Sequence, residues 1–242
     1  MKKLIALTMV AGVFTAGAHS YHDSDYEKVE TKNLTLSAEA LKDFAIDAGA
    51  GSLTLIGHDK KTIDVTAEIY QKDKGEPYCL SLEEKSSAKA KLKANTCHND
   101  NHTRIDVAVY LPSTLLTKIN DGSGPINIQN TSVYKVNDGS GGIVITNNNT
   151  TLEVNDGSGS IKVREQIGAL TINDGSGSVK VSGVEGHVSV SDGSGSIDVS
   201  DVAGDVKVSD GSGSIRVDNA HHFELLSDGS GSVNVTNVNN KM

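Results

Sequence analysis

Seven aspartates, Asp121, Asp138, Asp156, Asp174, Asp192, Asp210 and Asp228, each open the tetrapeptide Asp-Gly-Ser-Gly. The first gap is 17 residues and the next five are 18. Carboxylates at a fixed spacing suggest two chemistries. Oxygen ligands in a row suit calcium, and two carboxylates at a defined separation hydrolyse glycosides, one as acid and one as base or nucleophile. A third candidate is Cys97-His98-Asn99-Asp100-Asn101-His102, because thiolate and imidazole together suit zinc or copper.

The pattern around these residues weighs against each chemistry. In toxin-type calcium rolls the nine-residue repeat carries Asp at its sixth place. Here that place holds Ile161, Val179, Ile197 or Ile215, all apolar. A uniform ladder of carboxylates does not separate an acid from a base. Sugar platforms are usually aromatic, and the repeated region offers Tyr134 and Phe223 alone. His221-His222 interrupts a half-repeat where a turn is expected, and reads as a loop variation with Phe223 filling the core. No residue is therefore assigned a catalytic, cofactor-binding or metal-binding role. The calcium roll and a carbohydrate-active β-helix enzyme stay as alternatives.

The elements that carry the aspartates follow from the same period. Asp192-Gly-Ser-Gly-Ser-Ile197-Asp-Val199-Ser and Asp201-Val-Ala-Gly204-Asp-Val206-Lys-Val208-Ser are two nine-residue halves, each a turn followed by a short strand. Period-two alternation of apolar and polar residues marks a half-buried strand. It recurs as Ile161/Val163, Leu170/Ile172, Val179/Val181, Val188/Val190 and Ile215/Val217. A repeat of this length predicts a solenoid. The fold class is all-β, a parallel β-solenoid with two short strands per 18-residue coil. About four branched aliphatic side chains per coil are worth roughly 1.5–3 kcal/mol each. Aspartates one strand spacing apart, about 4.8 Å, repel by about 1 kcal/mol in water, so burial wins. Asn120, Asn137, Asn155 and Asn173 precede their aspartates, and Ser191, Ser209 and Ser227 replace them later. The Asn run predicts an amide ladder.

Outward strand positions are Lys162, Lys180, Asp198, Arg216 and Asn234 on one face, and Lys135, Glu153, Thr171, Ser189 and Lys207 on the other. They mix signs and make no basic stripe. With a formal charge of −9, nucleic acid is not an expected partner.

Residues 1–18 read as a signal peptide: Lys2-Lys3, an apolar run from Leu4 to Phe14, then Ala16-Gly17-Ala18. No other stretch is apolar enough to be a membrane helix, so the expected location is exported: periplasm, cell surface or secreted. In an oxidising compartment the two cysteines, Cys79 and Cys97, are expected to bond. Leu80/Leu82 and Leu92/Ala94 read as the arms of a hairpin turning near Ala88, which sets Cys79 opposite Cys97. Residues 19–112 are expected to form an N-terminal β region, either a degenerate continuation of the solenoid or a cap holding that hairpin. Residues 113–242 are the repetitive solenoid. Pro112 marks the junction, and Ser37 to Asp43 suits one helical turn, with little or no helix elsewhere.

Phe44-Ala-Ile-Asp-Ala-Gly-Ala-Gly-Ser-Leu-Thr-Leu55, Ile63-Asp-Val-Thr-Ala67, Arg104-Ile-Asp-Val-Ala-Val-Tyr-Leu-Pro112 and the Asp-Gly-Ser-Gly-Ser-Ile units together carry a resemblance. The chain resembles the bacterial putative-adhesin family of exported β-strand-repeat proteins, over nearly its whole length past residue 18. The resemblance implies a repetitive all-β exported protein with a role in adhesion; the expected partner is an envelope or surface ligand. It implies no catalytic residue.

Overall fold

The computed structural model describes residues 26–97 and 102–239. The expected signal peptide at 1–18 lies outside them. Within them every regular element is a β-strand, eighteen in all. The helical turn expected between Ser37 and Asp43 is instead one tight turn, closed by the Leu41 N–H donating to the Ala38 carbonyl.

From Leu116 onward the chain coils as its period requires. Leu152–Asp156, Leu170–Asp174 and Val188–Asp192 stack in parallel on one side. Gly141–Asn148, Gly159–Gln166 and Gly177–Val184 stack on the other. Two longer strands, Gly195–Asp210 and Gly213–Asp228, run through both sides of their coils. Register is residue on equivalent residue: Ile143, Ile161, Val179, Ile197, Ile215 and Val233 form one column. Between the two sides runs one apolar seam in which Ile161, Val163, Ile172, Val181 and Val199 are at most 1% exposed. Parallel sheets covered on their inner face in this way derive their stability from burial.

Two corners make the coil. The last glycine of each Asp-Gly-Ser-Gly has φ between +126° and +154° (Gly124 to Gly231). An ideal Cβ on Gly177 lies 1.5 Å from the Gly159 carbonyl oxygen, one coil earlier. Only glycine fits, for backbone reasons and for space. The opposite corner uses a different device. Asn130, Asn147, Glu165, Asp201, Asn219 and Asn237 take φ of 53–56°, with Gly183 at 67°. Asn and Asp tolerate this left-handed conformation. The sequence reading placed the turn glycine at Gly204, but the left-handed residue of that half-coil is Asp201.

The strands before Pro112 join the same stack out of chain order. Asp43–Ala48 pairs in parallel with Leu116–Asn120, and Leu53–His58 with Ile126–Asp138. They form a coil like the later ones, with Gly51 in register near Ser123 and Gly124. Beyond it the chain changes direction. Thr103–Pro112 and Lys89–Thr96 add in parallel, and Thr62–Gln71, Glu27–Ser37 and Tyr78–Ser86 then close that end antiparallel.

Four variants test this architecture. Deleting Asp192 to Ser209, one full coil, is expected to leave a folded protein, whereas deleting nine of those residues puts a strand on the wrong side and unfolds it. Gly177→Ala should cost about 2–4 kcal/mol, while Gly142→Ala, whose Cβ meets nothing nearer than 3.5 Å, should stay within about 0.5 kcal/mol. Urea unfolding followed by circular dichroism measures each. Equal tolerance of both deletions, or of both glycine substitutions, contradicts the coil.

Candidate functional site

The aspartate column is an interior feature. In each coil the alternation Val136-Asn137-Asp138 runs to the last residue of the strand, so Asp138 points inward like Val136. Asp121, Asp138, Asp156, Asp174, Asp192 and Asp210 are 3–9% exposed. Asp228, with no coil beyond it, is exposed. The Oδ1 atoms of Asp138, Asp156, Asp174, Asp192 and Asp210 accept the N–H of the Ser two residues on, at 3.1–3.3 Å. These are the Asx turns that the tetrapeptide predicts. Their Oδ2 atoms are buried and make no hydrogen bond.

Burial therefore decides the protonation of the column. Removal from water raises Asp121 to about 7, with the Asp138 charge adding to it. Desolvation, with the neighbouring carboxylates, lifts Asp138 and Asp174 to about 6, and burial also raises Asp156 and Asp192. Asp121, Asp138, Asp156, Asp174 and Asp192 therefore hold their protons to higher pH than a carboxyl in water does, and they lie out of reach of a glycan. For calcium, one oxygen of Asp138, Asp156, Asp174, Asp192 and Asp210 is spent on its turn, and the sixth-place residues Ile161, Val179, Ile197 and Ile215 lie in the core at 0–1% exposure.

The residues available to a partner are the outward columns. Lys162, Lys180, Asp198, Arg216 and Asn234 stand in register, as do Lys135, Glu153, Thr171, Ser189 and Lys207. Opposite charges meet from coil to coil: Lys135–Glu153 at 2.7 Å and Lys180–Asp198 at 3.2 Å. Beside them runs the amide ladder. Asn137, Asn155 and Asn173 each donate to the Asn of the preceding coil at 2.7–3.0 Å.

The cysteines and histidines are placed as follows. Cys79 and Cys97 are bonded, with Cα atoms 5.0 Å apart. Their hairpin register differs from the expected one. A bulge between Glu84 and Ser86 sets Cys79 opposite Asn95, so the bond runs diagonally. With its sulfur committed, Cys97 offers no thiolate to a metal, and His98 to Asn101 lie outside the described residues. His102 Nδ1 is 3.2 Å from Asp73 Oδ2, and with Glu76 these groups have ligand atoms within 4.8 Å of one another. Asp73 and His102 are exposed, and they make an ordinary surface ion pair. His221 Nδ1 lies 2.7 Å from Asp205, and Phe223 stacks on Val206 at the edge of the core.

Two features escaped the sequence reading. The left-handed Asn/Asp corner repeats with the same period as the aspartates and was readable from it. The buried amides Asn148 and Gln166, both 0% exposed, were not. Asn148 Nδ2 donates to the Val133 and Thr150 carbonyls and to Gln166 Oε1. They satisfy backbone groups at the corner where the first, 17-residue spacing is accommodated, and later coils place Val184, Val202 and Ala220 there instead.

No family model and no curated protein matches the sequence. Solved structures share its fold. A putative adhesin from Parabacteroides distasonis is 16% identical with a TM-score of 0.50, over 85% of this chain and 97% of its own. A putative adhesin from Bacteroides fragilis is 14% identical with a TM-score of 0.49, over 85% and 97%. A putative lipid binding protein, also from P. distasonis, is 14% identical with a TM-score of 0.49, over 84% and 96%. At these identities the likeness is one of fold.

The column makes stability depend on pH. A carboxyl whose folded pKa exceeds its unfolded value, about 3.9, holds its proton more tightly when folded. Its contribution is full below about pH 4 and is lost as pH rises through 6 to 7. The paired Asp47 and Glu68, held low by Lys91 and Lys28, act oppositely in acid, so the optimum falls near pH 5. Asp174→Asn is expected to stabilise by about 2 kcal/mol at pH 8 and little at pH 5, read from urea midpoints. Equal effects at both pH values contradict a buried, protonated column. Chelator should leave the circular dichroism spectrum and the midpoint unchanged; collapse to coil would make the calcium roll the better reading.

Proposed function

We propose that this chain is an exported, non-enzymatic, adhesin-like solenoid that binds an envelope or surface ligand through its outer faces. One observation carries the reading: polar and charged side chains recur on those faces at the same place in every coil, in register over residues 156–235. A ligand with its own repeat meets several evenly spaced polar sites, and weak contacts then add as avidity. The fold shared with a P. distasonis protein described as a putative adhesin points the same way. So does the expected signal peptide. No helix of the described residues is long and apolar enough to cross a membrane.

The one-coil deletion doubles as a test of multivalency. Binding of purified protein to cells, envelope fractions and matrix proteins is measured alongside a panel of glycan hydrolysis assays. Binding is expected, with no turnover, and removal of Asp192 to Ser209 should lower apparent affinity by more than the fraction of surface lost. Turnover of a glycan that disappears on substituting one coil's Asp or His, with no binding to any surface, would promote the enzyme instead.

A further inference from the structure

The two ends of the solenoid are built differently. At the Glu27–Ser37 end the edge strand carries Glu27, Lys28, Glu30 and Lys32, and a bulge breaks its register between Lys28 and Glu30. The other edge there, Tyr78–Ser86, carries Glu83, Glu84 and Lys85, with a second bulge. Charge and bulges are the means by which sheet edges avoid further pairing. At the opposite end the edge at residues 222–228 carries Glu224, Asp228 and a bulge at Leu226. Among the described residues the other edge, Gly231–Val238, pairs with Gly213–Asp228 on one side only. It contains no charged residue and no proline, and its register is unbroken. Position 234, which follows Lys162, Lys180, Asp198 and Arg216 in its outward column, carries no charge.

This end is also apolar. Leu225, Leu226 and Val233 are 40%, 57% and 40% exposed, although the equivalents Val208 and Ile215 of Leu225 and Val233 are at most 1% exposed. The hydrogen-bonding groups are aimed outward. Gly213 donates forward to the Ser230 carbonyl, so by the period-two alternation of a strand Gly231, Val233 and Val235 present theirs to the free edge.

We propose that this end docks a second copy of the same chain, tail to tail about a two-fold axis. A head-to-tail stack would bring the open edge against the charged, bulged cap, and that combination is disfavoured. A two-fold contact pairs the two Gly231–Val238 strands antiparallel. With Asn234 on the axis, Val233 of each copy faces Val235 of the other and both apolar faces stay on the same side. The two exposed Asp228 side chains fall at opposite ends of the joint. The contact is isologous and closed, so it stops at two.

Sedimentation equilibrium of the purified chain over a wide range of concentration tests this. The expected mass is that of two chains, with no larger species. Val233→Lys puts a charge into the inner face of the edge and Asn234→Lys puts one on its outer face. Each should weaken association at least about tenfold with an unchanged circular dichroism spectrum, and the outward Asn234→Lys serves if Val233→Lys fails to fold. Asn234→Cys should cross-link two copies on mild oxidation, whereas Lys32→Cys at the capped end should not. A monomer at every concentration, an open-ended polymer, or a dimer that ignores both lysines or fails to cross-link through position 234 would overturn the proposal.

Discussion

The structure depends on one constraint: each residue from Leu116 onward lies on its own equivalent, one coil away. Parallel in-register stacking lets backbone groups bond along the whole coil, turns included. The N–H groups of Gly157, Gly175, Gly193 and Gly211 donate to the aspartate carbonyl of the preceding coil at 3.0–3.2 Å. A chain that stacks like on like must then accept whatever its repeat places in the column. Glycine stacked on glycine leaves a carbonyl where a Cβ would sit, so the residue cannot vary. Valine stacked on isoleucine makes a continuous core.

The same constraint governs charge. On the outward faces a column of identical charges would repel at about the strand spacing, and the sequence breaks it with Glu153 after Lys135 and Asp198 after Lys180. On the inward side the aspartates do repeat, and there burial raises the pKa of Asp121, Asp138, Asp156, Asp174 and Asp192, which eases the repulsion between neighbours. What is left for recognition is a mixed polar surface of fixed pitch rather than a pocket.

A repeat has ends, and the ends need their own solution. The N-terminal part supplies one: a coil, 43–58, laid directly against the repeats, then strands that turn antiparallel and carry charge. The disulfide holds the outermost hairpin of this cap, where few buried side chains are available to hold it. The other end keeps the glycine corner and the apolar residues of an interior coil along Gly231–Val238.

The period of 18 and the alternation within it determined the coil, the two-sided seam, the outward columns and the amide ladder, because each depends on spacing alone. Even the inward aim of the aspartates was implicit there, since Val136 and Asp138 are two residues apart and must share a face. Tertiary structure decided what spacing does not encode. The hairpin register turned on a bulge at Lys85, which moved Cys79 opposite Asn95. The buried amides Asn148 and Gln166 answer a corner that appears only when a 17-residue coil meets an 18-residue one. The stacking of 43–58 against 116–130 joins strands with some seventy residues between them in the chain, and no local pattern specifies that pairing. It is selected by which surfaces remain uncovered once the coils have formed.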